Sequence, residues 1–311
     1  MNPYSDQDPA LVSTSSPFAP GNNGAYKRWR QHKLGNYPLD TAALRVPVQD
    51  LNNLSSREKT QILQLVGQTN MCLYQALDQS QWNSKEAVLN LSRQLGLQHL
   101  DQNLCADEEG LSAITVADKG RGQDYIPYTN KPINWHTDGY YNTEHRRIRG
   151  MALHCVCPAA QGGENSLLDP EIVYILLRDE NPEHISALMA SNAMTIPANK
   201  ENGVLIRPPQ TGPVFSIDAL TGKLHMRYTH RTRSIEWRQD SATQAAVSAL
   251  RGLLDGATDY HVVHRLQAGE GVICNNVLHT RSGFTDDPAH GCTRLIYRAR
   301  YHDRITDLPT Q

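Results

Sequence analysis

The sequence predicts a mainly β protein with helices on its outside. From about residue 111 onward, apolar residues fall in short β-type runs. Turn signals divide those runs: Gln161-Gly162-Gly163, Leu220-Thr221-Gly222-Lys223 and Ala268-Gly269-Glu270-Gly271. Helical spacing occurs before them and in a few inserts between them. Many short strands with helices around them imply a double-stranded β-helix, the jelly-roll or cupin-like barrel, with helical inserts.

The elements follow in chain order. Residues 1–40 read as a mobile arm with few core candidates, and 41–311 as one domain. Ala43 to Val48 forms a first short strand. Arg57 to Leu77 and Lys85 to Leu95 place apolar residues three and four apart, as helices do. Ser55 with Glu58 makes a capping box for the first of them. Strands are expected at Ser112–Val116, Ile148–Val156, Ser166–Leu168, Val214–Ile217, Leu224–Tyr228, His261–Leu266, Gly271–Val277 and Thr293–Tyr301. Helical inserts are expected at Pro170–Leu177, Pro182–Ser191 and Ser241–Leu254. No internal repeat is visible.

Composition excludes several functions. The chain has 311 residues, 39% hydrophobic and 20% charged, with a formal charge of −2. That charge gives no support to non-specific nucleic-acid binding, where a basic stripe is expected. No stretch approaches the roughly 20 apolar residues of a membrane helix. The first residues lack the basic start and apolar block of a secretory signal, so a cytoplasmic protein is expected. Cys72, Cys105, Cys155, Cys157, Cys274 and Cys292 are scattered, which fits a reducing compartment. Cys155 and Cys157, at the apolar run Met151–Val156, have no second pair at zinc spacing and read as strand thiols. The 13 Tyr against 3 Phe suit half-wet pockets as well as cores.

The chemistry begins at Asn134-Trp135-His136-Thr137-Asp138-Gly139. In an extended segment His136 and Asp138 face one way and Thr137 the other. One imidazole and one carboxylate then aim at the same point. A distant histidine would complete a two-His-one-carboxylate facial triad, which leaves positions open on Fe(II) for oxygen chemistry. His279, after the strand that begins at Gly271, is the candidate. Downstream, Arg294, Ile296, Arg298 and Arg300 share one face of a strand, and Leu295, Tyr297 and Ala299 the other. A buried arginine is costly unless it meets an anion, preferably through a two-pronged bond.

Together these residues resemble the TauD/TfdA superfamily of Fe(II)- and 2-oxoglutarate-dependent dioxygenases. Trp135-His136-Thr137-Asp138 looks like the taurine dioxygenase string, and Arg294-Leu-Ile-Tyr-Arg298 is similar to that family's paired arginines. Leu153-His154-Cys155, Gly162-Gly163-Glu164-Asn165 and Leu168-Asp169 look instead like the γ-butyrobetaine hydroxylase branch. The resemblance covers roughly residues 40 to 305. It implies that His136, Asp138 and His279 ligate iron and that Arg294 holds the C5 carboxylate of 2-oxoglutarate. A family threonine that helps bind that carboxylate is replaced here by Asn165, with Ser166 next to it. Arg298 would meet an anionic group on the substrate.

The implied reaction uses O2 and 2-oxoglutarate, releases succinate and CO2, and hydroxylates or desaturates an unactivated C–H bond. The substrate expected is a small polar metabolite with an anionic group: an amino acid, a carboxylate or sulfonate, or a betaine. Tyr125, Tyr128, Tyr140 and Tyr141 bracket the first metal-binding string, as an aromatic wall for the substrate or as packing. The basic run from Arg227 through His230, Arg231 and Arg233 to Trp237 reads as an anion contact, a solvated face or a subunit contact, and a homo-oligomer is allowed. His154, among apolar strand residues, reads as a core histidine; His145, His261, His264 and His290 suggest no ligand geometry. Two other classes stay open on the residues: a 2-oxoglutarate-independent cupin-like metalloenzyme, and a non-catalytic metal-binding barrel.

Overall fold

A computed structural model describes residues 16–102, 110–117, 125–201, 203–219, 221–231 and 235–306. Cys105, Leu220 and Arg233, named above, lie outside them. The chain divides into two compact units. One comprises the residues up to Tyr37 with Pro170–Thr258, and the other Pro38–Asp169 with the residues from Asp259.

The larger unit starts with β1 (Arg45–Val48), α1 (Ser56–Thr69), β2 (Met71–Ala76) and α2 (Lys85–Gln94). It continues with β3 (Leu111–Ile114), β4 (Ile133–His136), β5 (Gly150–Cys157), β6 (Gln161–Gly162) and β7 (Asn165–Leu168). After the other unit it resumes with β8 (Val262–His264), β9 (Glu270–Cys274), β10 (Leu278–Arg281), β11 (Phe284–Thr285) and β12 (Leu295–Tyr301). These form a six-stranded sheet, ordered β1-β2-β9-β5-β12-β3, and a four-stranded sheet, ordered β8-β7-β10-β4.

Strand alternation sorts the large sheet's side chains between two cores. Met71, Leu73, Met151, Leu153, Cys155, Val272, Cys274 and Ile296 point inward, where Leu167 and Val262 of the small sheet meet them. Cys72, Tyr74, Ala152, Ile273, Tyr297 and Ala299 point outward and are covered by Ile62 and Val66 of α1 and Val88 and Leu91 of α2. This is the mainly β, double-stranded barrel with flanking helices that the sequence predicts. The capping box forms as read: the Glu58 amide donates to Ser55 Oγ, and the Glu58 carboxylate accepts from the Ser55 amide.

Two expected elements change. The helix expected to reach Leu77 stops at Thr69, because Asn70 adopts a left-handed conformation (φ 59°). The apolar residues that follow form β2, a strand buried on both faces. The strand expected over Gly271–Val277 ends at Cys274, and Asn276 (φ 49°) turns the chain from the large sheet into β10 of the small one.

The smaller unit holds α3 (Asn23–Gly35), α4 (Pro170–Glu180), α5 (Pro182–Leu188), α6 (Ser241–Asp255) and several short strands between Met194 and Trp237. α3 falls within the segment 1–40 expected as a mobile arm, and it buries Tyr26 and Lys33. Lys33 pairs with Glu171 of α4 at 2.5 Å, and the Arg178 guanidinium lies 4.0 Å from the centre of the Tyr26 ring. Tyr26 and Trp29, three residues apart, pack with Phe18 and Tyr174, but the next inward position is the charged Lys33, so the apolar spacing is too short to mark a core helix.

Candidate metal centre

β4 and β10 are neighbours at the edge of the small sheet, and His136 and His279 stand opposite each other in their register. Each imidazole Nδ1 lies 2.9 Å from a carbonyl two residues earlier, Asn134 for His136 and Val277 for His279. A carbonyl only accepts, so Nδ1 carries the proton and Nε2 presents its lone pair. The rings are 4.1 Å apart, and their Nε2 atoms lie 3.6 and 3.9 Å from Asp138 Oδ1. Among the described residues this is the one cluster of three side chains with metal-ligating atoms, all within 4.8 Å of one another.

Asp138 lies just past the end of β4, and Asn276 places it. The Asn276 carboxamide accepts from the Asp138 amide at 2.8 Å and donates to the carbonyls of Asp138 (2.9 Å) and Ile148 (2.7 Å). The left-handed corner between the sheets therefore holds the backbone of Asp138 as well as redirecting the chain. Burial acts to raise the Asp138 carboxyl. Arg298, His136, Arg300 and His279 outweigh it and hold the group well below the usual carboxylate range. Burial first, and then His136, push His279 down to about 4. Both groups are thus in the protonation state that a metal requires. Asp138 Oδ2 is buried without a hydrogen-bond partner. A divalent cation would satisfy it, and the donor set fits Fe(II).

The arginines face inward as alternation predicts, with three different surroundings. Arg298 Nη1 lies 3.5 Å from Asp138 Oδ2, and its buried Nε has no partner. Arg300 is already engaged, donating to Asp101 Oδ2 at 2.5 Å and to the Tyr141 hydroxyl at 3.0 Å. Arg294 is 5% exposed; burial pushes its guanidinium down, and its Nη1 has no hydrogen-bond partner. It lies against the Gly162–Gly163 turn, where a Cβ on Gly163 would stand 3.5 Å from Arg294 Nε. Gly162 has φ +72°, and a Cβ there would overlap the Gly283 carbonyl. A buried guanidinium with an unpartnered Nη1 beside a glycine turn fits an incoming carboxylate.

Asn165 is buried on β7 on the same face as Leu167, which joins the inner core. Ser166 alternates to the other face, and its amide donates to Thr280 Oγ1. Tyr140 packs edge-on against Tyr141 at 5.1 Å. Tyr125 and Tyr128 pack on the inner core. In the smaller unit, Arg227 donates to the carbonyls of Met194 and Gln210, and His230 approaches Asp255 at 3.7 Å. His154 is a satisfied core histidine: Nδ1 contacts the Tyr74 hydroxyl and Nε2 the Trp82 carbonyl, both at 3.0 Å. Cys155 is a buried strand thiol, and Cys157 is half-buried. Asn276 and Asp101 are the residues that sequence reasoning missed. The Asn275-Asn276 pair is the one local signal among them, since asparagine tolerates left-handed backbone.

A family model described as "Taurine catabolism dioxygenase TauD, TfdA family" matches residues 32–300. A Streptomyces protein named uridine-5'-phosphate dioxygenase is 31% identical over 202 residues, covering 62% of this chain and 69% of the relative. Among solved structures, an asparagine oxygenase in complex with Fe(II), 2S,3S-3-hydroxyasparagine and succinate has a TM-score of 0.56 at 17% identity. That match covers 96% of this chain and 88% of the other. The non-heme iron oxygenase OrfP, in complex with Fe, succinate and (3S)-hydroxy-L-Arg, gives 0.53 at 17% identity, covering 94% and 84%. A taurine dioxygenase from Burkholderia xenovorans, described as putative and α-ketoglutarate-dependent, gives 0.57 at 16% identity, covering 86% and 90%.

Proposed function

The chain belongs to the TauD/TfdA family of Fe(II)- and 2-oxoglutarate-dependent dioxygenases, and from that premise we propose that it hydroxylates an unactivated C–H bond of a small polar metabolite carrying an anionic group. Membership sets aside the two classes left open by the residues alone, the 2-oxoglutarate-independent cupin-like metalloenzyme and the non-catalytic metal-binding barrel. His136, Asp138 and His279 would hold the Fe(II). Bound there, iron with 2-oxoglutarate and O2 supplies the oxidising chemistry and releases succinate and CO2. Arg294 would receive the far carboxylate of 2-oxoglutarate. Asn165, on the inner face, is the better placed of the two neighbouring candidates to assist, and Ser166 the worse.

One observation carries the substrate reading. Arg298 is a largely buried cation at the edge of the triad, and its Nε has no partner. Its nearest anion, the Asp138 carboxylate, would be taken up by the metal. A substrate anion would then restore charge balance. The relatives agree in kind: one is named for a phosphate ester, and two hold hydroxylated amino acids. Tyr140 and Tyr141 follow Asp138 after a single glycine and would border the same space; Tyr125, packed on the inner core, would contribute less.

The test is a panel of amino acids, sulfonates, betaines and nucleoside monophosphates, scored by substrate-stimulated succinate release. Product mass then separates hydroxylation, a gain of one oxygen atom, from desaturation, a loss of two hydrogens. If anionic compounds fail where their neutral analogues succeed, the role given to Arg298 is wrong.

A further inference from the structure

Arg281 and Phe284 have no part in the site so far. Arg281 is 5% exposed and lies on β10, two residues beyond His279. Its guanidinium is held by backbone carbonyls: Nη1 donates to Pro127 at 3.0 Å, and Nη2 to Thr129 at 2.7 Å and to Lys131. Three fixed carbonyls leave this cation little freedom to turn toward a ligand. Its central carbon lies 4.9 Å from the centre of the Phe284 ring, and that of Arg294 lies 5.0 Å from the same centre. A single phenyl ring therefore serves two buried guanidinium groups. The face of such a ring is electron-rich, and its attraction for a cation strengthens as water is removed.

Phe284 is fixed in turn. It pairs with Gly162 across β11 and β6, and its amide donates to the Asn130 carbonyl at 3.1 Å. The Arg294 amide is bonded to Asp286 Oδ1 at 3.0 Å, which anchors its backbone but leaves the long side chain to be ordered by what it touches. We propose that Phe284, backed by the carbonyl-clamped Arg281, is a positioning residue that holds the Arg294 guanidinium ready for the far carboxylate of 2-oxoglutarate. The proposal rests on the assignment of Arg294 made above. Its physical content is pre-organisation: a guanidinium already ordered on a ring gives up less rotamer freedom when a carboxylate arrives.

The test is anaerobic titration calorimetry on the Fe(II)-loaded protein with two ligands. 2-Oxoglutarate has the far carboxylate; 2-oxobutyrate has the same 2-oxo acid end and lacks it. Phe284→Leu is expected to weaken 2-oxoglutarate about tenfold, the scale of one desolvated cation–π contact, and to leave 2-oxobutyrate unchanged. Phe284→Tyr keeps the ring and is expected to bind both as the parent does. Arg281→Gln should weaken 2-oxoglutarate by a smaller factor. A general packing defect would weaken both ligands equally, and that result overturns the proposal, as does parent-like affinity in Phe284→Leu. Should that variant fail to fold, Phe284→Met is read by the same two ligands. Arg294→Ala separates the layers: if it binds 2-oxoglutarate like the parent, the cosubstrate assignment itself is wrong.

Discussion

Asp101 and Asp138 are both buried aspartates of the larger unit, and each lies beside an arginine of β12. Their surroundings are otherwise opposite. Asp101 Oδ2 takes a bond from Arg300, Oδ1 takes one from Arg146 at 2.8 Å, and the Asp101 amide donates to the Arg300 carbonyl at 2.8 Å. Asp138 has a carboxylate oxygen with no hydrogen bond and two imidazoles standing off at 3.6 and 3.9 Å. The arginines repeat the contrast. Tyr141, Asp138 and Asp101 overcome the burial of Arg300 and hold its guanidinium above the ordinary range, whereas burial dominates at Arg294 and lowers it. An aspartate with both oxygens bonded stabilises a fold, and one left with an open oxygen beside two imidazoles marks where something binds.

Mutating the two clusters should separate activity from stability. Asp138→Ala is expected to lower succinate formation on the order of 10³-fold or more and to abolish Fe(II) retention, with the circular dichroism of the metal-free protein preserved. Full turnover in that variant would refute the triad. Asp101→Ala leaves Arg300 buried without its acid and is expected to cost roughly 3–5 kcal/mol in chemical denaturation. A cost near zero would mean that Arg300 is no more settled than Arg294. Arg294→Ala should weaken 2-oxoglutarate by roughly 2–5 kcal/mol in anaerobic titration, the range for truncating one side of a buried charge pair. Unfolding without ligand should change less in Arg294→Ala than in Asp101→Ala.

The smallest effect concerns pH. Burial pushes His154 down to about 4 from 6.5. The unfolded chain takes up that proton near pH 6.5 and the folded chain does not, so stability present above pH 6.5 is lost as pH falls toward 4. The loss is roughly 2 kcal/mol at pH 5. His154→Gln should flatten the decline between pH 7 and 5 by that order, and an unchanged slope would show that other groups set it.

How much of this was legible in the sequence depends on how local the cause is. Alternation along Arg294 to Arg300 needs only backbone geometry, and Ile296 falls on the inner core with Tyr297 and Ala299 on the outer; Asp138, past the end of β4, depends on Asn276 as well. The capping box at Ser55 is local in the same way. Met71 to Ala76 was read as helix because its apolar residues suit either state, and only burial between two cores decides for strand. Asn276 falls inside an expected strand, where the Asn275-Asn276 pair is the one local sign of a corner and the apolar residues around it outweigh that sign. Arg281 and Asp101 act on residues far away in sequence, so their roles have no local signature. The identity of the third arginine's partner, Asp101, is of the same kind.

One feature of the topology has a consequence for how such an enzyme folds and diversifies. β7 ends at Leu168, β8 begins at Val262, and the two are paired antiparallel with Leu167 opposite Val262. To the barrel, the whole segment from Pro170 to Thr258 is the connection of a single hairpin. Loop-closure entropy grows only logarithmically with length, by about 0.6 kcal/mol per doubling. The segment can therefore lengthen, shrink or be exchanged between relatives at small cost to closure of that hairpin, while the register that sets His279 opposite His136 is kept by strands the insertion never interrupts.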